Sequence, residues 1–222
     1  MNKISKATIS IAAAGLLVAG IAGVSATSAI AAPEKAKAST SIPGPVAAVP
    51  ELKGGNTAVA LDSGFTDALT SLGLTPGVTG TATLTDGSVA FPITGGNVVY
   101  WSPKGNYRPY VQGLIEHDGS GLSLTAGSTV VGLSNFTVNP GNSKLYGDVD
   151  VNGTVAAVQA PIFSLHGGTL KPLQLDGDNA ILTGTTVHIS STAAGLLNKV
   201  FSTDAVKAGL LVGVATITAQ IK

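Results

Sequence analysis

The sequence predicts a mainly β protein, an antiparallel two-sheet β-sandwich with two short helices. Three observations point there. From Asn56 onward Thr, Val and Gly are abundant, and short apolar runs are punctuated by turn dipeptides. Asp86-Gly87 and Asn152-Gly153 each separate two such runs. These pairs suit a type I′ hairpin, whose two central residues both need positive φ. Finally, Lys144–Val151 alternates, with Leu145, Gly147, Val149 and Val151 on one face and Lys144, Tyr146, Asp148 and Asp150 on the other. That is a strand with one wet face, as antiparallel sheets allow.

Taken from the N-terminus, residues 1–32 read as a secretory signal peptide. Lys3 and Lys6 give it a positive start, Ile11 to Val24 is dense in apolar residues, and Ala29-Ile30-Ala31 matches a small-residue cleavage site. The uncharged run could also span a bilayer of ~30 Å as an uncleaved anchor. Its second half is Ala, Ser and Thr, which favours cleavage. Residues 33–56 read as a linker, since Pro33, Pro43, Pro45 and Pro50 fall there among Ala, Ser, Lys and Gly. The remainder, 57–222, is one domain. Its strands are expected at 57–61, 81–85, 88–93, 97–101, 110–116, 121–125, 128–138, 144–151, 154–158, 162–166, 179–189 and 210–221. In Ser63–Leu72, Phe65, Ala68, Leu69 and Leu72 make a helical stripe between a cap at Asp62/Ser63 and a stop at Gly73. Ser191–Phe201 has a similar stripe of Ala193, Leu196, Leu197 and Val200. Both helices are expected to plug the ends of the sandwich.

Composition excludes several functions. Without Lys3 and Lys6, ten basic residues face twelve acidic ones, a net charge of −2, and the one arginine is Arg108. Nucleic-acid binding needs clustered cations to displace counterions, and none are clustered here. There is no cysteine, hence no disulfide, lipoprotein attachment, thiolate metal site or cysteine nucleophile. The apolar run Leu210–Ile221 is too short to cross a membrane as a helix. No G-x-S-x-G or H-E-x-x-H occurs, and His117, His166 and His188 are widely separated. A pair of facing carboxyl groups for glycosidase chemistry is hard to find, because Glu116 is the one glutamate beyond the linker. Asp148-Val-Asp150-Val-Asn152-Gly153 begins like a calcium loop, but its twelfth position is Gln159 and it reads better as a hairpin arm. The sequence therefore predicts no catalytic residues, no metal site and no enzyme.

One segment stands out. Tyr100, Trp101, Tyr107, Arg108 and Tyr110 gather the only Trp, the only Arg and three of the four Tyr, with Pro103, Gly105 and Pro109 breaking the backbone into a loop. Such a loop suits contact with a carbohydrate, a flat ring or a protein. The structural alternative packs Trp101 into the domain with Arg108 stacked on a tyrosine. Glu116-His117-Asp118-Gly119 follows, and a histidine before Asp-Gly reads first as a turn residue.

The helix at 63–72, Val89-Ala-Phe91-Pro-Ile93, His117-Asp-Gly, Leu122-Ser-Leu and Leu145-Tyr-Gly-Asp148-Val together resemble the Htaa domain family, secreted actinobacterial β-sandwich modules implicated in haem capture. The resemblance covers roughly 150 residues, about one domain's length. It implies a tyrosine ligand to haem iron in an aromatic segment, supported by a histidine near H-D-G. Two alignments are open. If helix 63–72 is the counterpart of that segment, the ligand position carries no tyrosine. If 101–110 is the counterpart, Tyr110 becomes the ligand and His117 its support. The preferred expectation is a secreted, extracellular or cell-wall-associated, non-enzymatic binding or structural domain without a cofactor. Its partner would be an extracellular ligand or envelope component met through the aromatic loop, with no nucleic acid and no membrane span after cleavage. The alternative is a haem-binding module.

Overall fold

The computed structural model describes residues 42–222. The expected signal peptide and the first part of the expected linker lie outside the described residues. From Val46 the remaining linker is part of the fold. Ala47–Val49 (β1) pairs antiparallel with Gly95–Tyr100 (β6), and Leu52 is buried. Its Pro/Ala composition hides a strand that needs only three backbone pairs and one buried leucine.

Both dipeptide turns form as expected. Thr83–Thr85 (β4) and Ser88–Pro92 (β5) meet at Asp86-Gly87, with φ of 50° and 74°. Lys144–Val151 (β9) and Thr154–His166 (β10) meet at Asn152-Gly153, with φ of 51° and 77°. Asn152 adds a side-chain acceptor for Val130 N–H at 2.8 Å, which ties the turn to the neighbouring strand. The other long strands are Gly54–Leu61 (β2), Val111–Ala126 (β7), Thr129–Asn139 (β8), Asn179–Ile189 (β12) and Leu211–Gln220 (β13). Two short pieces, Thr75–Gly80 (β3) and Gln174–Asp176 (β11), pair with β7 and β12 respectively.

These strands make one antiparallel sheet rather than the expected two, in the order β1-β6-β7-β8-β9-β10-β12-β13-β2-β5-β4. The sheet curls into a half-barrel, so the sandwich expectation is corrected. The physical reason is the length of the middle strands. β7, β10 and β12 run 16, 13 and 11 residues, and they bend instead of breaking. The bends are β-bulges, which kink a strand and increase its twist. Pairing shifts between His117 and Gly121 on β7, between Ser134 and Thr137 on β8, and between Ala157 and Ala160 on β10. Asn135 and Gln159 sit in these bulges with φ of 51° and 45°.

The Asp148 carboxylate joins the bulges. It accepts hydrogen bonds from Asn135 Nδ2 at 2.9 Å and from Gln159 N–H at 2.9 Å, while Gln159 Nε2 donates to Asn135 O at 2.8 Å. Asn135 Oδ1 accepts from Gly119 N–H on β7 at 3.1 Å. These donors, Asn135 Nδ2 first, hold the Asp148 carboxyl below its usual range. The half-matched calcium motif is thus a hydrogen-bonded corner of the sheet.

The concave face carries the core, including Val131, Val149, Ile162 and Phe136. Phe136 meets Phe91 edge-on at 5.3 Å between centroids, and the absence of a side chain at Gly147 admits its ring. Two helices close one end. Ser63–Ser71 (α1) is capped by Asp62, whose side chain accepts from Phe65 N–H, and it buries Leu69. Ser191–Val200 (α2) is capped by Ser190, which accepts from Ala193 N–H and donates to Pro161 O, and it buries Ala193, Ala194 and Leu197. Both helices were expected as end plugs. They plug the same end.

Candidate functional site

The aromatic segment 101–110 is the loop between β6 and β7, at the end away from the helices. Trp101 N–H donates to Tyr110 O at 2.7 Å and closes the base of the loop. Arg108 holds its interior, donating through Nη1 to Gly105 O at 2.7 Å and Tyr107 O at 2.8 Å, and through Nη2 to Pro103 O at 3.0 Å. Proline and glycine break the strand pattern here, so their carbonyls need donors from elsewhere, and one guanidinium supplies them.

This geometry divides the five loop residues. Trp101 and Tyr107 face each other at 4.8 Å, and Trp101 Nε1 donates to Pro43 O at 2.9 Å, so this pair fastens the chain entering β1. Tyr100, Arg108 and Tyr110 instead line a cavity of about 460 Å³. Their rings are coupled: Tyr100 and Tyr110 meet edge-on at 6.0 Å, and the Arg108 guanidinium lies 5.4 Å from the Tyr110 ring centre. Burial, and then Tyr110 beside it, raises the Tyr100 pKa, which keeps that phenol neutral.

The rest of the lining is apolar. Leu52, Ile115, Val138, Leu165, Ile217 and Ala219 form part of the interior wall. Leu170 and Leu173, between β10 and β11, form part of the opposite rim. A mostly apolar cavity of this volume, with a few polar groups converging at one side, is what small-molecule sites look like. The aromatic density at 100–110 pointed to half of the site. The leucine rim comes from a stretch some sixty residues downstream, about which the sequence pattern offered no signal.

His117 lies elsewhere. It is 1% exposed, on the β7 bulge, and the expected turn at His117-Asp-Gly is absent because β7 continues through it. Its Nδ1 donates to Phe136 O at 3.3 Å and its Nε2 accepts from Thr57 Oγ1 at 2.8 Å. Both ring nitrogens are therefore engaged, and desolvation pushes the pKa down to about 4, so the ring is neutral. Tyr110 precedes β7 by one residue, and seven residues of strand put it on the order of 20 Å from His117. The structure does not bring the two together. A small cavity of about 60 Å³ adjoins His117.

The helix end offers no alternative ligand. Its cavity, about 120 Å³, is lined by α1, α2 and the sheet with no tyrosine or histidine in its wall. Among the described residues no group of three or more His, Cys, Asp or Glu could hold a metal ion.

No family model matches the chain, and no curated protein matches it in sequence. Solved structures do. The C-terminal domain of HtaA from Corynebacterium glutamicum superposes with a TM-score of 0.53 at 14% identity, covering 78% of this chain and 99% of that domain. The haem-binding protein HtaB from the same organism gives a TM-score of 0.49 at 13% identity, covering 78% of this chain and 96% of that one. The expectation of a domain without a cofactor is corrected here, because the second of these neighbours is itself a haem-binding protein. At such identities the likeness is one of architecture. This chain therefore shares its fold with the HtaA C-terminal domain, and its resemblance to the Htaa family is a distant one.

Proposed function

We propose that this chain is a secreted, non-enzymatic haem-binding module that takes haem at the mouth of the 460 Å³ cavity. The observation carrying this reading is an apolar cavity of ligand size opening beside Tyr110, in a fold shared with an HtaA domain. Haem has a broad apolar ring, anionic propionates and an iron that accepts a tyrosine oxygen. The residues present fit each part. The lining supplies apolar surface, Arg108 a cation, and Tyr110 an oxygen donor with that cation beside its ring. Tyr100, held neutral, is suited to donating a hydrogen bond. When bound, haem would supply the iron chemistry; the chain's part is to bind, orient and exclude water. His117 supports the sheet and not the ligand.

Export rests on the signal-peptide pattern of residues 1–32. Consistent with a released or surface-held protein, no helix among the described residues is long and apolar enough to cross a membrane. Its partners would be an extracellular haem source or an envelope component.

Haemin titrated into the chain from Pro33 onward should give a shifted Soret band with one-to-one saturation. Tyr110→Phe should lose that shift, whereas His117→Gln should keep it. An unchanged haemin spectrum with the parent chain, or a parent-like band in Tyr110→Phe, would refute the assignment.

A further inference from the structure

The cavities of this half-barrel form a series along its axis. The 460 Å³ cavity and the small one beside His117 share Val138, Leu165, Thr185 and Ile217 as a common wall. That small cavity and the 120 Å³ cavity under the helices share Leu61, Val89, Leu122, Phe163 and Val212. The first and last share no residue. One strand records the order: β7 contributes Val111 and Ile115 to the first, His117 to the second and Leu124 to the third. From Val111 to Leu124 is ~40 Å of strand.

The interior is thus a line of apolar spaces divided by shared walls that are aliphatic apart from Thr185 and Phe163. His117, the one titratable group lining the two inner spaces, is neutral and fully partnered. At the open end stands Arg108, which meets no carboxylate, since Lys53–Glu51 is the one ion pair among the described residues. The rim there is apolar as well, with Leu175 71% exposed. A flat ring uses only the first cavity. A molecule that uses the line would be long, narrow, apolar along its length and anionic at one end.

We infer that the half-barrel binds a single-chain amphiphile of the long-chain carboxylate class, with its head at Arg108 and its tail running inward past Leu165 and Ile217. This site extends deeper than the haem reading requires and does not depend on Tyr110 as an iron ligand. The first shared wall is Val138, Leu165 and Ile217 with Thr185, so a tail running inward meets mainly aliphatic surface.

The test uses cis-parinaric acid as fluorescent probe on the chain from Pro33 onward. Octanoate, dodecanoate and hexadecanoate then compete for it. Each methylene that enters the interior should tighten binding by up to about fourfold, so hexadecanoate should displace the probe far better than octanoate. Hexadecanol should compete more weakly than hexadecanoate. Ala215→Leu, which fills space beside the His117 cavity, should flatten the chain-length series while leaving octanoate unchanged. The series is run without haemin, so a parent chain that binds the probe but leaves the haemin spectrum unchanged, or the reverse, separates this inference from the haem assignment. No probe fluorescence, or equal displacement by all three carboxylates with the parent chain, would overturn it. That parent-chain series needs no variant to fold.

Discussion

Between pH 6.5 and 4 this domain should lose about 3–4 kcal/mol of stability through one side chain. His117 is 1% exposed and desolvation lowers its pKa from 6.5 to about 4. In the unfolded chain the same imidazole titrates near its ordinary value. Within that window the unfolded state binds a proton that the folded state refuses, so stability falls as the pH drops. Above the window the contribution is constant, and below it the fall stops. Two and a half pKa units at ~1.4 kcal/mol each give the figure. Against a typical total of about 5–15 kcal/mol, such a loss is easily measured. Urea unfolding at pH values from about 8 down to 4 would follow it, with His117→Gln as the comparison. Glutamine keeps an amide near Thr57 and Phe136 O without a titrating proton, so its curve should start lower and run flatter. If parent and variant lose stability in parallel across the window, or if the His117 ring titrates near 6.5 by NMR, the burial argument is wrong.

Other outcomes follow from the same contacts. Asp148→Ala removes the acceptor that joins the bulges of β8 and β10 and should cost about 2–3 kcal/mol, because hydrogen bonds to a charged group are the stronger kind. Calorimetry should show a melting temperature lower by roughly 5–10 °C. Because that carboxyl is held below its usual range, its stabilisation is present above the unfolded pKa and fades as pH falls through the folded one. His117→Gln should therefore still lose stability in strong acid, and a variant lacking both groups should lose less. Phe136→Ala should cost about 3–5 kcal/mol in urea unfolding, from its burial and its contact with Phe91. Trp101→Phe removes the hydrogen bond to Pro43 O and should cost about 1 kcal/mol. It should leave the haemin spectrum unchanged, since Trp101 lies outside the cavity wall.

Most strands were legible because alternation and turn dipeptides are local signals, as at β9 and its Asn152-Gly153 turn. The helices were legible for the same reason. What escaped depends on distant partners. β3 reads Thr-Pro-Gly-Val-Thr-Gly, a string of strand breakers, yet it pairs along β7 as an edge piece where Pro76 is tolerated. β1 was hidden in proline-rich sequence. Asp118-Gly119 signals a turn, but β7 absorbs it as a bulge because Asn135 and Thr94 side chains satisfy the loosened backbone N–H groups. The half-barrel itself follows from β13 pairing with β2, residues about 150 positions apart in sequence, which no periodicity announces. For the site, clustering of Tyr100, Arg108 and Tyr110 was visible, and its division from Trp101 and Tyr107 was not. That split depends on where Pro43 and the Leu170–Leu173 rim lie in space.

The ends of the sheet path carry a consequence for self-association. β1 and β4 are each three residues long, so the open curl offers little backbone at either terminus for another molecule to extend. β3, the longer edge piece, contains Pro76, which has no N–H to give. A chain with a mean hydropathy of +0.40 over its full length and no cysteine gains from such protection if it is to stay monodisperse. Shortness at the margins keeps an oily, unstapled half-barrel from polymerising through its own strands.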